Sequence, residues 1–477
     1  MLFNSIPFAV FLPLVFVLYW MLRKGPLIVQ NSFILFASYA FYAWWDWRFL
    51  SLIVLSSLVD YLVGLRLGSE NRAGRRKLLL GISLAVNLGM LGFFKYYDFF
   101  LSSLCELLGL FGVGASTHTL GLILPIGISF YTFKKLSYTI DIYRGYIEPT
   151  RRPIAFFSFV AFFPQLLAGP IDRASTLLPQ FLRKREFSDS LARDGLRQML
   201  SGFIKKMVIA DNLAPFVSDI FENYGKYDGL TLLIGLFFLA MQLYCDFSGY
   251  SDIAIGCAKL FGFDLMRNFA FPFFSRDIAE FWRRWHISLS SWLRDYLYVP
   301  LCGKKPSRSR KALNIVITFT ICGLWHEAAW TFVLWGFIHG LFFLPMTLKK
   351  RHRRFIGTPA KGRLLPSFRE WRAMAATFAA TTLVWVFFRS GSIGQAFGYL
   401  GRIVSNPLMN LNYSVFLPLL LVCVSLLILE WFQRSREHFL QIERMPMAFR
   451  WSVYFAAILV LLVFGAFGSN EFIYFQF

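Results

Sequence analysis

Reactive sulfur and acid are both scarce in this sequence. Its six cysteines (Cys105, Cys245, Cys257, Cys302, Cys322 and Cys423) show no CxxC spacing and fall mostly in or beside apolar runs. That pattern argues against a disulfide framework and against a zinc site, and no metal is expected. Asp and Glu number 27 against 49 Lys and Arg. The basic residues lie in short loops between apolar runs, where orientation in a bilayer requires them, so nucleic acid is not the expected partner. Anionic lipid headgroups or a phosphate-rich cofactor are. No fixed-period repeat, low-complexity tract or soluble domain is visible. The first apolar run lacks a basic segment before it and ends at Arg23-Lys24, the reverse of a cleavable secretory signal.

Apolar sequence is what remains. Hydrophobic residues make up 57% of the 477 residues and the mean hydropathy is +0.54, which predicts an all-α polytopic membrane protein. Spans are expected near 3–22, 27–45, 49–67, 78–95, 119–140, 195–217, 229–248, 250–264, 312–326, 328–348, 373–390, 413–432 and 451–468. This is about 11–13 transmembrane helices in one domain covering 1–477. Two broken apolar stretches, 153–172 and 269–300, suit re-entrant or interfacial segments buried in protein. Aromatics cluster at span ends, as in Tyr42 to Trp47.

Charge sets the orientation. Five basic residues face one acid between Arg66 and Lys77; five face none between Lys304 and Lys311; nine face one between Lys349 and Arg372. These loops are expected in the cytoplasm. The loop with Asp219, Glu222, Lys226 and Asp228 is expected outside. A helix entering at Ala312 reaches His326 about 21 Å further on, at a helix corner in the outer half of the membrane.

Ionisable residues at that depth mark candidate chemistry. For His326 the alternative is a packed imidazole bonded to a backbone carbonyl. His339 follows thirteen residues later, off the face of His326 on a continuous helix, and reads as packing beside Gly340. Phe281 to Leu301 places Trp282, Trp285, Trp292 and Tyr296 at helical spacing with Arg283, Arg284 and Arg294, as an interfacial amphipathic helix would. His286, just before a basic loop, belongs to the cytoplasmic half, so the two histidines are expected toward opposite faces. In Gln242 to Gly256, Asp246, Ser248 and Asp252 punctuate apolar helix around a break at Gly249. The carboxylates are expected to pair with arginines or the histidines.

In order along the chain, FYAWWDWRFL, LPIGISFYTF, FFPQLLAGPI, DFSGYSDIAIG, FWRRWHISLSSWLRDYLY, GLWH and the terminal FIYFQF resemble the membrane-bound O-acyltransferases. The likeness is to the bacterial branch that O-acetylates alginate, related to peptidoglycan acetylation and teichoic acid D-alanylation proteins. The resemblance implies packed helices around a central tunnel. It also implies transfer of an acetyl group from a cytoplasmic thioester to an extracytoplasmic hydroxyl, with His326 and His286 as catalytic residues. Asp246, Ser248, Asp252, Arg283, Arg284, Trp285 and Trp325 are expected to bind substrate or line the tunnel. By resemblance the donor is acetyl-CoA, with no bound cofactor. The implied partners are an extracytoplasmic SGNH-type acetyltransferase and the polysaccharide synthesis machinery, and the implied location is the bacterial inner membrane. A carrier-protein donor of D-alanyl or another acyl group, or a polysaccharide or lipid transporter, are the alternatives. Two departures stand out: Glu327 follows His326 where this branch usually has glycine, and Lys134-Lys135 replace uncharged or acidic residues. Those lysines are expected to snorkel to headgroups or to bind donor phosphates.

Overall fold

Unbroken apolar runs leave the backbone no polar partner but itself, so they fold as helices. The computed structural model describes residues 1–112, 119–349, 353–407, 413–468 and 472, and among these every regular element is helical. Among the described residues eight runs are long and apolar enough to cross a membrane: Ile6–Lys24, Leu27–Ser69, Ala73–Leu110, Gly229–Leu260, Trp330–Leu348, Phe368–Arg389, Ser414–Phe432 and Met447–Phe464. The second holds two helices, Leu27–Asp46 and Leu50–Ser69, separated where Asp46 turns extended and its carboxylate accepts from the Arg48 N–H. Further helices, Ile128–Tyr143, Asp189–Phe203, Asp211–Glu222 and Arg308–His326, lie at other expected spans and carry more charge or fewer residues. The molecule is an all-α, multi-pass membrane protein.

Several local expectations change. The separate spans 229–248 and 250–264 are one helix, Gly229–Leu260, and Gly249 does not break it. Gly249 serves close approach instead. A Cβ there would come 2.8 Å from the Gly202 carbonyl, and one on Gly202 would come 2.5 Å from the Gly249 carbonyl. Two turns before Gly202 and two turns after Gly249, Gly195 and Gly256 repeat the arrangement. Small residues on both faces thus let Asp189–Phe203 and Gly229–Leu260 pack backbone to backbone. Of the span 119–140, only Ile128–Tyr143 is helical; Pro125 and the left-handed Gly127 (φ 77°) delay its start.

The stretch 281–301 is no continuous interfacial helix. It divides into Ile278–Arg284, Ile287–Leu293, a π-turn over Arg294–Tyr298 and Val299–Cys302, and Trp282, Trp285 and Trp292 are buried. Lys134 and Lys135 do not snorkel; both are buried. The Lys134 ammonium donates to the Val160 carbonyl at 3.1 Å, and Lys135 donates to Ser56 with Asp60 at 4.0 Å. The broken stretch 153–172 is buried in protein as helices Pro153–Ala161 and Phe163–Leu166. Of the terminal FIYFQF motif only Phe472 is among the described residues; it packs on Phe247 and Tyr250.

Candidate active site

His326 is the last residue of Arg308–His326, and the chain leaves that helix through an extended Glu327 (φ −150°, ψ 151°). Trp330–Leu348 returns against it as a hairpin. Glycines bring the two helices together: a Cβ on Gly336 would collide with the Phe319 carbonyl, and one on Gly323 with the Phe332 carbonyl. A helix end leaves carbonyls without intrahelical partners. Here Lys95 donates to the carbonyls of Trp325 and His326, each at 2.7 Å, and the Tyr96 hydroxyl donates to that of Leu324 at 3.0 Å. A cation at the negative end of the helix dipole is favourable.

The largest change from expectation is the place of His286. Its ring centroid lies 6.2 Å from that of His326, so the two imidazoles share one site rather than facing opposite sides of the membrane. Sequence distance misled because His286 does not sit on a helix running to the cytoplasm. It occupies a left-handed corner (φ 43°, ψ 55°) between two seven-residue helices, a conformation that costs a non-glycine residue about 1 kcal/mol or more. Backbone bonds from Ile287 N–H to the Asn268 carbonyl and from Ala270 N–H to the Arg284 carbonyl, both 2.9 Å, hold that corner.

An aromatic wall surrounds the pair. Trp325, Trp335 and Phe388 lie 5.2, 5.3 and 5.7 Å from His326, and Phe247 and Trp325 lie 4.5 and 6.0 Å from His286. The Cys322 thiol is 3.9 Å from His326 Nε2. Among the described residues, Trp325 Nε1, Trp335 Nε1 and His286 Nε2 are buried with no hydrogen-bond partner. Buried polar atoms in proteins are nearly always paired, so these three are open to a polar group near the histidine pair. A cavity of about 70 Å³, lined by Lys95, Pro125, Ser129, Trp325 and His326 among others, reaches the same ring. By the charge-derived orientation this cavity is expected in the outer half of the membrane.

The other expected site residues divide. Trp325 joins the site. Trp285 is one ring layer behind it, 5.1 Å from Phe269, which in turn lies 6.4 Å from His286. Ser248 is buried next to Phe247, the ring that touches His286. The ion pairs of Asp246 and Asp252 are with lysines rather than the expected arginines or histidines. Lys206 lies 2.7 Å from Asp246 and 2.8 Å from Asp211. Lys205 lies 2.9 Å from Asp252 and 3.3 Å from Glu430, whose other partner is the Tyr244 hydroxyl at 2.7 Å. The lysine pair in GFIKKMVIAD carried the signal for this network. Arg284 is committed to Glu280 at 2.9 Å. Arg283 is exposed and donates to the Phe355 carbonyl at 2.7 Å. His339 is packed as expected: it sits between Trp282 and Trp335, centroids 5.2 and 4.7 Å away, and accepts from Trp282 Nε1. No group of three or more His, Cys, Asp or Glu side chains suited to a metal occurs among the described residues.

Comparison with known proteins gives this geometry a context. The sequence model of the membrane-bound O-acyltransferase family matches residues 149–384, a stretch that includes both histidines. A probable alginate O-acetylase of Azotobacter vinelandii is 44% identical over 344 residues, 71% of this chain and 67% of that protein. A peptidoglycan O-acetyltransferase of Helicobacter pylori is 33% identical over 100% of this chain and 98% of its own length. A teichoic acid D-alanyltransferase of Bacillus subtilis is 29% identical over 45% of this chain and 57% of its own. On these matches the chain belongs to the membrane-bound O-acyltransferase family and is an O-acyltransferase.

Proposed function

We propose that the protein transfers an acetyl group from acetyl-CoA at the cytoplasmic face to an extracytoplasmic hydroxyl, in the O-acetylation of an exopolysaccharide or cell-wall polysaccharide. The observation that carries this reading is the pairing of His286 with His326, 6.2 Å apart inside an aromatic wall. The O-acetylating relatives, which match over most of the chain, supply the acyl group.

His326 is the base in this scheme. Histidine titrates near neutrality, the range a general base needs. Its imidazole takes the proton of the acceptor hydroxyl as the oxygen attacks the thioester carbonyl. The tetrahedral intermediate then collapses, the C–S bond breaks, and the proton passes from the imidazolium to the departing thiolate. The products are an acetyl ester and free CoA thiol. Trp325, Trp335 and Phe388 keep water from the thioester. Lys95 holds the end of the helix, and so the imidazole, at the rim of the outer cavity. The acceptor enters from that side, either as a polysaccharide hydroxyl or as a serine of an SGNH-type partner. The donor reaches His286 and His326 through the helix bundle from the basic loops, whose cations attract its phosphates. Asp246, Asp252 and Arg284 are assigned to packing, since each already has its ion-pair partner.

The test is acetyl-CoA-dependent acetylation by proteoliposomes supplied with polysaccharide or partner protein outside. Removing a general base costs about 10²- to 10⁴-fold in rate. His326→Ala is expected to insert normally and to lose that much; wild-type turnover by the variant defeats the assignment.

A further inference from the structure

The site raises a question that the histidine pair alone does not answer: which imidazole nitrogen of His286 carries the proton. A neutral imidazole donates from one nitrogen and accepts at the other, and the hydrogen bond made on one side decides what the other side offers. Asn268 makes that bond. Its side-chain oxygen lies 3.1 Å from His286 Nδ1. The orientation of the Asn268 amide is set independently of the histidine. Its oxygen also faces the backbone N–H of Ser288 at 3.3 Å, a group that only donates, and the Ser288 hydroxyl at 2.9 Å. Its nitrogen donates to Ser251 at 3.1 Å. An oxygen so fixed meets either an N–H or a lone pair at Nδ1, and a lone pair would be repelled. The competing contact, Ser288 hydroxyl to Nδ1, is longer at 3.4 Å. Asn268 is fully buried, and its backbone carbonyl accepts from Ile287 N–H at 2.9 Å, so the residue is held from both ends.

We propose that Asn268 is a positioning residue that holds His286 as the Nδ1–H tautomer, leaving Nε2 as a buried hydrogen-bond acceptor for an O–H or N–H of the bound substrate. The functional part rests on the acyl-transfer reading above; the tautomer does not. The neutral ring then cannot donate from Nε2 to a developing oxyanion. It receives a hydrogen bond there, from the acceptor hydroxyl or from an amide N–H of the donor's pantetheine arm. Among the described residues, Nε2 has no protein partner. His326 is the titratable side chain in ring contact with His286; the other rings around it, Phe247, Phe269 and Trp325, are uncharged. The tautomer therefore depends on Asn268 and not on a neighbouring charge.

Two measurements test this. The first is ¹⁵N NMR of histidine-labelled full-length protein in nanodiscs, with the His286 signals identified by their loss in His286→Gln. A pyrrole-type Nδ1 and a pyridine-type Nε2 are expected. The reverse assignment overturns the proposal whatever reaction the protein catalyses. The second compares Asn268→Leu with Asn268→Asp. Loss of an orienting partner behind an active-site histidine costs about 10- to 100-fold. Asn268→Leu is expected to lose that much in kcat. Asn268→Asp keeps the acceptor at Nδ1 and is expected to retain most of the activity, with the acidic limb of its pH–rate profile moved to higher pH, because a carboxylate favours the imidazolium. The KM split names the substrate: a rise for acetyl-CoA points to the pantetheine amide, and a rise for the acceptor points to its hydroxyl. Equal losses in both variants with no change in pH profile, or wild-type kcat in Asn268→Leu, defeat the positioning role. Should wild-type protein show the expected tautomer yet transfer no acetyl group, the acetyl-transfer reading fails and the tautomer stands.

Discussion

Single residues in this protein act through partners far away in sequence. Asp252 is the clearest instance. Two carboxylates in an apolar helix invite a catalytic reading, yet Asp252 is held by Lys205 and by Gln198, and Lys205 also faces Glu430. Such a network is costly to break from one side, because removing one partner leaves buried charge uncompensated, about 3–5 kcal/mol. Lys205→Met is therefore expected to lower the thermal midpoint in detergent strongly while the folded fraction keeps its turnover number. Normal stability with lost turnover would return Asp252 to the reaction. Lys95 works at the same scale. Its ammonium spans two carbonyls of a helix more than two hundred residues away and so sets the height of one imidazole.

At the scale of elements, the site depends on helices that approach closely. The hairpin Arg308–His326 with Trp330–Leu348 is seated by Gly323 and Gly336, and Asp189–Phe203 is seated on Gly229–Leu260 by Gly202 and Gly249. Without a hydrophobic drive between helices in lipid, such contact depends on small residues. Overfilling a packed interface costs about 1–3 kcal/mol. Gly336→Leu is expected to lower both thermal midpoint and acyl transfer, because it pushes the helix that carries His326 away from its partner. Gly81→Ala is the control: a Cβ there meets nothing within 4 Å. Equal behaviour of the two variants in thermal and activity assays would refute this account of the packing. The short helices around His286 show the opposite device, where a left-handed residue breaks the helix so that an imidazole turns inward.

For the whole molecule the testable property is sidedness. Cytoplasmic placement of the basic loops puts residue 305 inside and residue 225 outside. Both positions are exposed, and of the cysteines only Cys105 is less than buried. In a Cys105→Ser background, Gly225→Cys is expected to react with an impermeant maleimide added to intact cells, and Lys305→Cys to react only after lysis. The reverse result would invert the direction of acyl transfer proposed above.

The fold class was legible from the residues, which also raised the expectations of sidedness and of a key imidazole at His326. A chain this apolar has only helices available to it in lipid, basic loops orient those helices, and a histidine at depth is expensive enough to be conspicuous. What the residues alone could not reveal was adjacency. The sequence placed His286 toward the opposite face, read an interfacial helix through 281–301, and paired Asp246 and Asp252 with the wrong cations. Each error has one cause: a helix period was extended through a position where a left-handed corner, a π-turn or a neighbouring helix intervened. Asn268, Lys95 and Lys205 meet their partners across 18 to 231 residues, and only packing decides contacts of that reach. Local composition determines that a segment is helical and buried; which side chain stands 6 Å from which is settled by how the helices pack together.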